Sequence, residues 1–332
     1  MTKVAIHGFG RIGRLATRSA LSKRLFVPAS VSDITDLPTL AALFKADSNY
    51  GLWPEPVGAS SNALLIGDRE VPFFNTQEAL PDWGKLGIDV VVDCTGRATK
   101  RPVAQAHLDK GAKKVLVSAA SKSMQDCDAV ILPGINFDSY SYTNHHIVSM
   151  ASCTTNALAP VVKVLIENFG IEHGFFSTVH AYTNTQSLTD QPMKDVRDSW
   201  AAAENIIPSS SGAAKALKFI WPDLNITGKA YRVPVRTGSI VELNVVLGKD
   251  TTAEEVNEAF RKAAAASPLQ GIMGVLEGEW ASSRIVGETL SSLVDLPLTQ
   301  VLDGRMLSVA AWYDNEMAYA TRLAEMAVAI AG

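Results

Sequence analysis

The sequence predicts an α/β chain of two domains, a doubly wound parallel sheet followed by an α+β domain of mostly antiparallel sheet. Three observations carry this. The chain has 332 residues, more than one hydrophobic core of roughly 250–300 residues usually serves. Its first half alternates short apolar runs with helical stretches. After Cys153 the runs lengthen and follow one another with little helix between them.

In the first half, residues 2–7 read as a strand and 11–22 as a helix, then 25–32 as a strand and 36–45 as a helix. Residues 62–74 read as a hairpin around Gly67-Asp68. The runs 90–94, 114–117, 129–132 and 146–150 are further strands, with a helix near 99–110. Near-continuous apolar strands between helices indicate a parallel sheet covered on both faces. Beyond 152, a helix over 154–168 leads into long β-branched and aromatic strands at 171–182, 228–235, 239–248 and 304–313. A charged helix at 252–265 interrupts them, and 315–330 is an alanine-rich helix.

Composition excludes several classes. Hydrophobic residues make up 47% and charged residues 19%, a globular balance rather than a disordered one. The net charge of −4 gives no general attraction to nucleic acid or anionic membrane. No apolar run reaches the ~18 residues of a membrane helix, and residues 1–6 run straight into a glycine turn rather than forming a secretory signal. Three cysteines, Cys94, Cys127 and Cys153, neither build a disulfide framework nor pair at metal-ligand spacing. The expectation is a cytoplasmic protein without a metal centre, without a membrane and with no nucleic-acid partner.

Gly8-Phe9-Gly10-Arg11-Ile12-Gly13 follows a strand and opens a helix. This is the context in which G-x-G-x-x-G binds a dinucleotide. Gly8 makes the tight turn, Gly10 lets backbone approach a diphosphate, and Gly13 permits close helix–strand packing. Asp33 lies 20 positions after Gly13, where a carboxylate accepts from ribose hydroxyls and repels a 2′-phosphate; a loop-entry or helix-capping aspartate is the alternative reading. The first domain is therefore read as Rossmann-type, with NAD preferred to NADP.

Ser152-Cys153-Thr154-Thr155-Asn156 precedes a helical run, so the Cys153 thiol sits at a helix N-terminus, where thiolate is favoured; the alternative, a buried cysteine acting as a small apolar residue, fits the polar flanks less well. Cys94 lies in an apolar strand that could line the cofactor pocket, and Cys127 in an acidic loop read as surface. His180 ends a strand, from which it can meet a nucleophile on a neighbouring element; a structural histidine would occupy such a position equally well. His107, His145 and His146 read as surface or capping residues, and His7 as packing under the cofactor. Pro208-Ser209-Ser210-Ser211-Gly212 reads as a hydroxyl-rich turn opening a helix, suited to an oxyanion or to plain N-capping. Arg232, in a strand, requires an anionic partner. Arg197 lies in the loop after His180.

These pieces resemble the glyceraldehyde-3-phosphate dehydrogenase family, in order and over essentially the whole chain. The match includes His180-Ala181-Tyr182-Thr183, residues 205–215 and Trp312-Tyr313-Asp314-Asn315-Glu316. The resemblance implies attack by Cys153 on an aldehyde, with His180 as base, and hydride transfer to NAD. Inorganic phosphate then cleaves the thioester to 1,3-bisphosphoglycerate. It places Thr183, Thr185 and Arg232 on the substrate's phosphate, and Ser152, Thr154, Ser211 and Gly212 on the attacking phosphate, with Arg197 near both. Arg11, Ile12, Asp33 and Ser118 match NAD-contacting positions, and Asn315 the residue that orients the carboxamide. It also implies a first domain of 1–152 plus a returning helix at 316–332, a catalytic domain of 153–315, and a homotetramer whose loop at about 183–205 crosses to a neighbour.

The chain departs from the family pattern at His7 (usually asparagine), Thr76 (commonly arginine), Ala157 (a second cysteine), Trp200 (arginine) and Ser211 (threonine). Val235-Arg236-Thr237-Gly238 also replaces an uncharged segment. Erythrose-4-phosphate dehydrogenase shares fold and nucleophile, and aspartate-semialdehyde-type enzymes share the Cys–His pair without the two motifs at 180–183 and 312–316. A binding module that merely retains the fold would not need Cys153, His180 and Arg232 together.

Overall fold

The computed structural model describes residues 2–332. The chain forms two compact units, Met1–Ala151 with Tyr319–Gly332, and Ser152–Ala318.

Nine strands among the described residues of the first unit form one sheet. Val4–His7 lies at its centre, paired in parallel with Ser30–Asp33 on one side and Val90–Asp93 on the other. Lys114–Val117, Ile147–Ser149 and Ala129–Val130 extend the second side, all in parallel. Arg69–Asn75 extends the first, and then Ala63–Ile66 and Val57–Ala59 add an antiparallel edge. The central strands are buried almost throughout, as expected of a sheet with both faces covered. Trp83 packs with Ala5, Ile88, Val91 and Ala112 beneath one face; Ile88 and Val91, fully buried, contribute about 1.5–3 kcal/mol each. The C-terminal helix Met317–Ala329 is tied in by Ser19 Oγ donating to Thr321 Oγ1 (2.9 Å). Tyr140 Oη donates to the Ile330 carbonyl (2.8 Å), and Lys23 pairs with Glu325 (3.0 Å).

The second unit holds a mixed sheet in the order Ile207–Ser210, Ile226–Val233, Ile171–Ala181, Ser239–Leu247, Met306–Tyr313, Ser292–Asp295, Met273–Leu276, with Gln300–Leu302 also pairing Met306–Tyr313. It is mostly antiparallel, but Ile171–Ala181 runs parallel to Ile226–Val233, and Met273–Leu276 to Ser292–Asp295. The helix Cys153–Phe169 packs on this sheet and against helices Ala213–Ile220 and Ala253–Ala265. Thr252 and Glu255 close a reciprocal capping box on the last of these.

The fold class agrees with the sequence, while several details differ. The strand expected over 25–32 begins at Ser30, since Pro28 has no N–H to give a ladder. The hydroxyl-rich turn is in fact the edge strand Ile207–Ser210, and the helix opens only at Ala213. Pro208 is tolerated there because the strand has a neighbour on one side only.

Candidate active site

The helix at Cys153 starts where it does because of two local devices. Ala151 adopts a left-handed backbone (φ 54°), which costs a non-glycine residue about 1–2 kcal/mol and turns the chain sharply out of the strand Ile147–Ser149. Ser152 then caps the helix, its side chain accepting from Thr155 N at 3.2 Å. Cys153 is the first helical residue, and its sulphur lies beside the backbone N–H groups of Cys153 and Thr154, at the positive end of the helix.

Cys153 Sγ stands 3.4 Å from His180 Nε2, at the end of strand Ile171–Ala181. His180 Nδ1 lies 2.7 Å from the Ala181 carbonyl. A carbonyl only accepts, so Nδ1 carries the hydrogen and Nε2 presents its lone pair to the thiol. Burial, reinforced by the charge of Arg232, pushes the His180 pKa down to about 3. Burial pushes the Cys153 thiol up, against the opposing pull of Arg232. The resting pair is thus thiol and neutral imidazole, not the thiolate expected from the helix N-terminus alone, because burial outweighs the helix end; the base is aimed at the proton it would take.

Arg232 is the strand neighbour of His180 in the parallel pair. Its Nε and Nη1 are buried without a hydrogen-bond partner. A buried guanidinium edge in that state is a site prepared for an anion.

In the first unit the glycine turn has the shape a dinucleotide needs. Gly8 has φ 85°, and a side chain there would meet the backbone of Cys94 and Thr95. A Cβ on Gly13 would come within 2.1 Å of the Gly8 carbonyl, whereas one on Gly10 would meet nothing within 4 Å. The turn is therefore closed on the protein side at Gly8 and Gly13, and open at Gly10, where a diphosphate would approach. Asp33 accepts from Phe9 N (2.6 Å) and Thr35 N (2.9 Å), so its carboxylate is locked against the turn. Arg11 makes a two-pronged pair with Asp47 (3.1 and 3.2 Å). Ser118 N donates to the Asp93 carbonyl at 3.0 Å.

A sequence model described as the NAD binding domain of glyceraldehyde 3-phosphate dehydrogenase matches residues 2–101. A second, described as the C-terminal domain of the same enzyme, matches residues 152–315. The chain is 46% identical to glyceraldehyde-3-phosphate dehydrogenase of Geobacillus stearothermophilus, covering 99% of this chain and 98% of that one. It is 44% identical to glyceraldehyde-3-phosphate dehydrogenase 1 of Bacillus cereus (98% of each). It is 46% identical to the enzyme of Kitasatospora aureofaciens (97% of each). The chain belongs to the glyceraldehyde-3-phosphate dehydrogenase family.

In this member of the glyceraldehyde-3-phosphate dehydrogenase family, the remaining residues picked from the sequence fall in several places. Thr183 and Thr185 share a hydrogen bond between their hydroxyls (2.9 Å). Gln186 organises both, accepting from Thr183 N and donating to Thr185 Oγ1 and Asp198 Oδ1; sequence reading missed it. Arg197 is exposed on a short turn, Val196–Ser199. Ser211 Oγ accepts from Ala213 N (3.3 Å) at the start of its helix. Asn315 Oδ1 accepts from Ser239 Oγ at 2.9 Å, which directs its amide nitrogen away from that hydroxyl. Tyr313, also missed, bonds both Thr154 and Thr178; it lies within the quoted motif at 312–316, but nothing in the spacing separates it from a core aromatic.

Two sequence readings are corrected. His107 is buried, not a surface residue: Trp83 Nε1 donates to its Nδ1 (3.1 Å), and its Nε2 faces Asp93 Oδ2 (3.2 Å). Since Trp83 can only donate, the His107 hydrogen sits on Nε2 and points at Asp93. His7 joins this core through Ser32 (2.8 Å) and edge contact with the His107 ring, and burial lowers its pKa to about 4. His7, Asp93 and His107 lie close enough to suggest a metal site, but the His107 lone pair is already taken by Trp83, so Trp83, His107 and Asp93 form a hydrogen-bonded chain against which the His7 ring packs. Cys127 is likewise buried, with its thiol pushed up by burial.

Proposed function

We propose that the chain catalyses NAD-dependent oxidation of glyceraldehyde 3-phosphate with inorganic phosphate, giving 1,3-bisphosphoglycerate. The observation that carries this reading is the 3.4 Å approach of Cys153 Sγ to the lone-pair nitrogen of His180. His180 Nε2 takes the thiol proton as sulphur bonds to the aldehyde carbon, and returns it to the oxygen of the resulting thiohemiacetal. It takes that proton again as the carbon is oxidised to a thioester. NAD, when bound, supplies the hydride acceptor. A phosphate oxygen then attacks the thioester carbon, the C–S bond breaks, and Cys153 is regenerated.

In this reading Gly8, Gly10, Arg11, Ile12, Gly13, Asp33 and Ser118 hold the cofactor, with Asn315 donating its free amide hydrogens to the carboxamide. Arg232, Thr183 and Thr185 hold the substrate's phosphate. Ser152, Thr154, Ser211 and Gly212 receive the attacking phosphate, with Arg197 serving both. The domains are 1–152 with 316–332 for the cofactor and 153–315 for catalysis. The loop at 183–205 exposes Leu188, Val196 and Trp200, apolar surface that suits burial between subunits of a homotetramer, and the cytoplasm is the expected compartment.

The test is NADH formation from glyceraldehyde 3-phosphate, with and without phosphate and against erythrose 4-phosphate. Sustained turnover should require phosphate and favour the triose. Equal turnover without phosphate would overturn the reading. Arg232→Ala should raise the KM for the phosphorylated aldehyde about ten- to hundredfold, the worth of one charge-assisted contact. Unphosphorylated glyceraldehyde, which has no such group to lose, should be affected much less. Equal damage to both aldehydes would remove Arg232 from the substrate's phosphate.

A further inference from the structure

A chain of oxygens runs from the nucleophile helix into the sheet beneath it. Thr154 Oγ1 lies 3.0 Å from Tyr313 Oη, Tyr313 Oη lies 2.8 Å from Thr178 Oγ1, and Thr178 Oγ1 lies 3.0 Å from the Ile240 carbonyl. All three side chains are buried, so hydrogens in this chain are not exchanged for bonds to bulk water. Its last member fixes the direction of the rest. The Ile240 carbonyl only accepts, so the one hydroxyl hydrogen of Thr178 points there. Tyr313 must then donate into Thr178, and Thr154 must donate into Tyr313. Burial raises the pKa of the Tyr313 phenol, so its hydrogen stays in place across neutral pH.

Thr154 follows the nucleophile directly in sequence, and its hydroxyl is also within reach of the Cys153 sulphur; a thioester sulphur is a poor acceptor, so in the acylated state that phosphate meets, the hydrogen is committed inward to Tyr313. The Thr154 hydroxyl therefore offers only lone pairs to anything bound beside Cys153. A fully deprotonated oxyanion would meet an acceptor facing an acceptor there. Hydrogen phosphate, which carries a P–OH, would meet a partner.

We propose that Thr154, held by Tyr313 and Thr178, selects a proton-bearing oxyanion as the attacking species, admitting hydrogen phosphate and disfavouring sulfate. The proposal rests on the assignment of Thr154 to the attacking-phosphate position. In the step it describes, the P–OH donates to Thr154 Oγ1 while an unprotonated oxygen of the same phosphate bonds to the thioester carbon. The C–S electron pair returns to Cys153 as thiolate, and the P–OH hydrogen leaves on the acyl phosphate. Sulfate has nearly the size and charge of hydrogen phosphate at neutral pH but no hydrogen, so the comparison isolates this one contact.

The experiment measures, at saturating aldehyde, the half-saturating phosphate concentration and the inhibition constant of sulfate competing with phosphate. In the unmodified chain sulfate should bind roughly tenfold or more weakly than phosphate, the effect of one buried acceptor left unpaired. Tyr313→Phe leaves the Thr154 hydrogen free to turn outward, so sulfate should bind about tenfold more tightly and the ratio should collapse towards one. Thr178→Val should do the same by a different route: Tyr313, deprived of its acceptor, donates to Thr154 instead and releases the Thr154 hydrogen. A variant merely damaged in folding would not gain affinity for sulfate, and if one of the two fails to fold the other decides. An unchanged ratio in the folded variants overturns the proposal, as does equal binding of the two anions by the unmodified chain. Thr154→Val separates the two levels. If it weakens phosphate while the other variants leave the ratio unchanged, the assignment of Thr154 stands and the selection fails. If it moves neither constant, the assignment itself fails, and the selection with it.

Discussion

Cys153→Ser should lower aldehyde oxidation by about a thousandfold or more, the scale seen when a nucleophile is removed from a site that works as a unit. The fold and NAD binding should survive, because Ser152 rather than Cys153 caps the helix and the glycine turn belongs to the other unit. Serine keeps the geometry and the hydrogen bond to His180 but presents a hydroxyl, a far weaker nucleophile near neutral pH. Steady-state NADH formation and the pre-steady-state burst should vanish together. Activity above about a tenth of the unmodified chain, a barrier change of only ~1.4 kcal/mol, would assign the chemistry to another group.

His180→Asn should slow acylation by roughly 10²–10⁴, the usual contribution of a placed base, and should change the shape of the pH profile. With His180 present, the thiol proton passes within the pair. The acylation rate should therefore be nearly flat from above the His180 pKa, about 3, up to the raised pKa of Cys153. Without it, only the free thiolate reacts, so the rate should climb about tenfold per pH unit over the same window. A flat profile in His180→Asn would show that His180 does not receive the proton. Stopped-flow measurement of the NADH burst from pH 6 to 9 distinguishes the two cases.

What the sequence revealed depended on how locally each feature is encoded. The glycine turn was legible because three glycines and the following helix stand side by side, and close packing forbids a side chain on Gly8 and Gly13. Cys153 was legible from the polar run around it and the helix after it. Arg232 was legible as a charge in a strand, though the register that sets it beside His180 is a long-range property. Other features were not legible for the same reason. Trp83, Asp93 and His107 lie on three separate elements, and their hydrogen bonds appear only when strand and helices pack; His107 alone looks like any polar residue on a helix. The orientation of the Thr154 hydroxyl depends on a carbonyl 86 positions away, at Ile240. The short strands Met273–Leu276, Ser292–Asp295 and Gln300–Leu302 were overlooked because their partners, rather than their own composition, hold them extended.

The first unit is assembled from both ends of the chain, and this has a consequence for how the protein is made. Residues 319–332 complete a core begun by residues 1–151, through Ser19 with Thr321, Tyr140 with Ile330 and Tyr319 with the Ala151 carbonyl (3.0 Å). During synthesis, the nascent sheet must wait with the surface for that helix uncovered while all of 152–318 emerges. At about 5–20 residues per second, those 167 residues take on the order of 10–30 s to add. The second unit is contiguous and has no such dependence, so it can reach its native form while its predecessor in the chain is still unfinished. Order of synthesis and order of completion are thereby reversed, and the stretch most exposed to misassembly is the one made first.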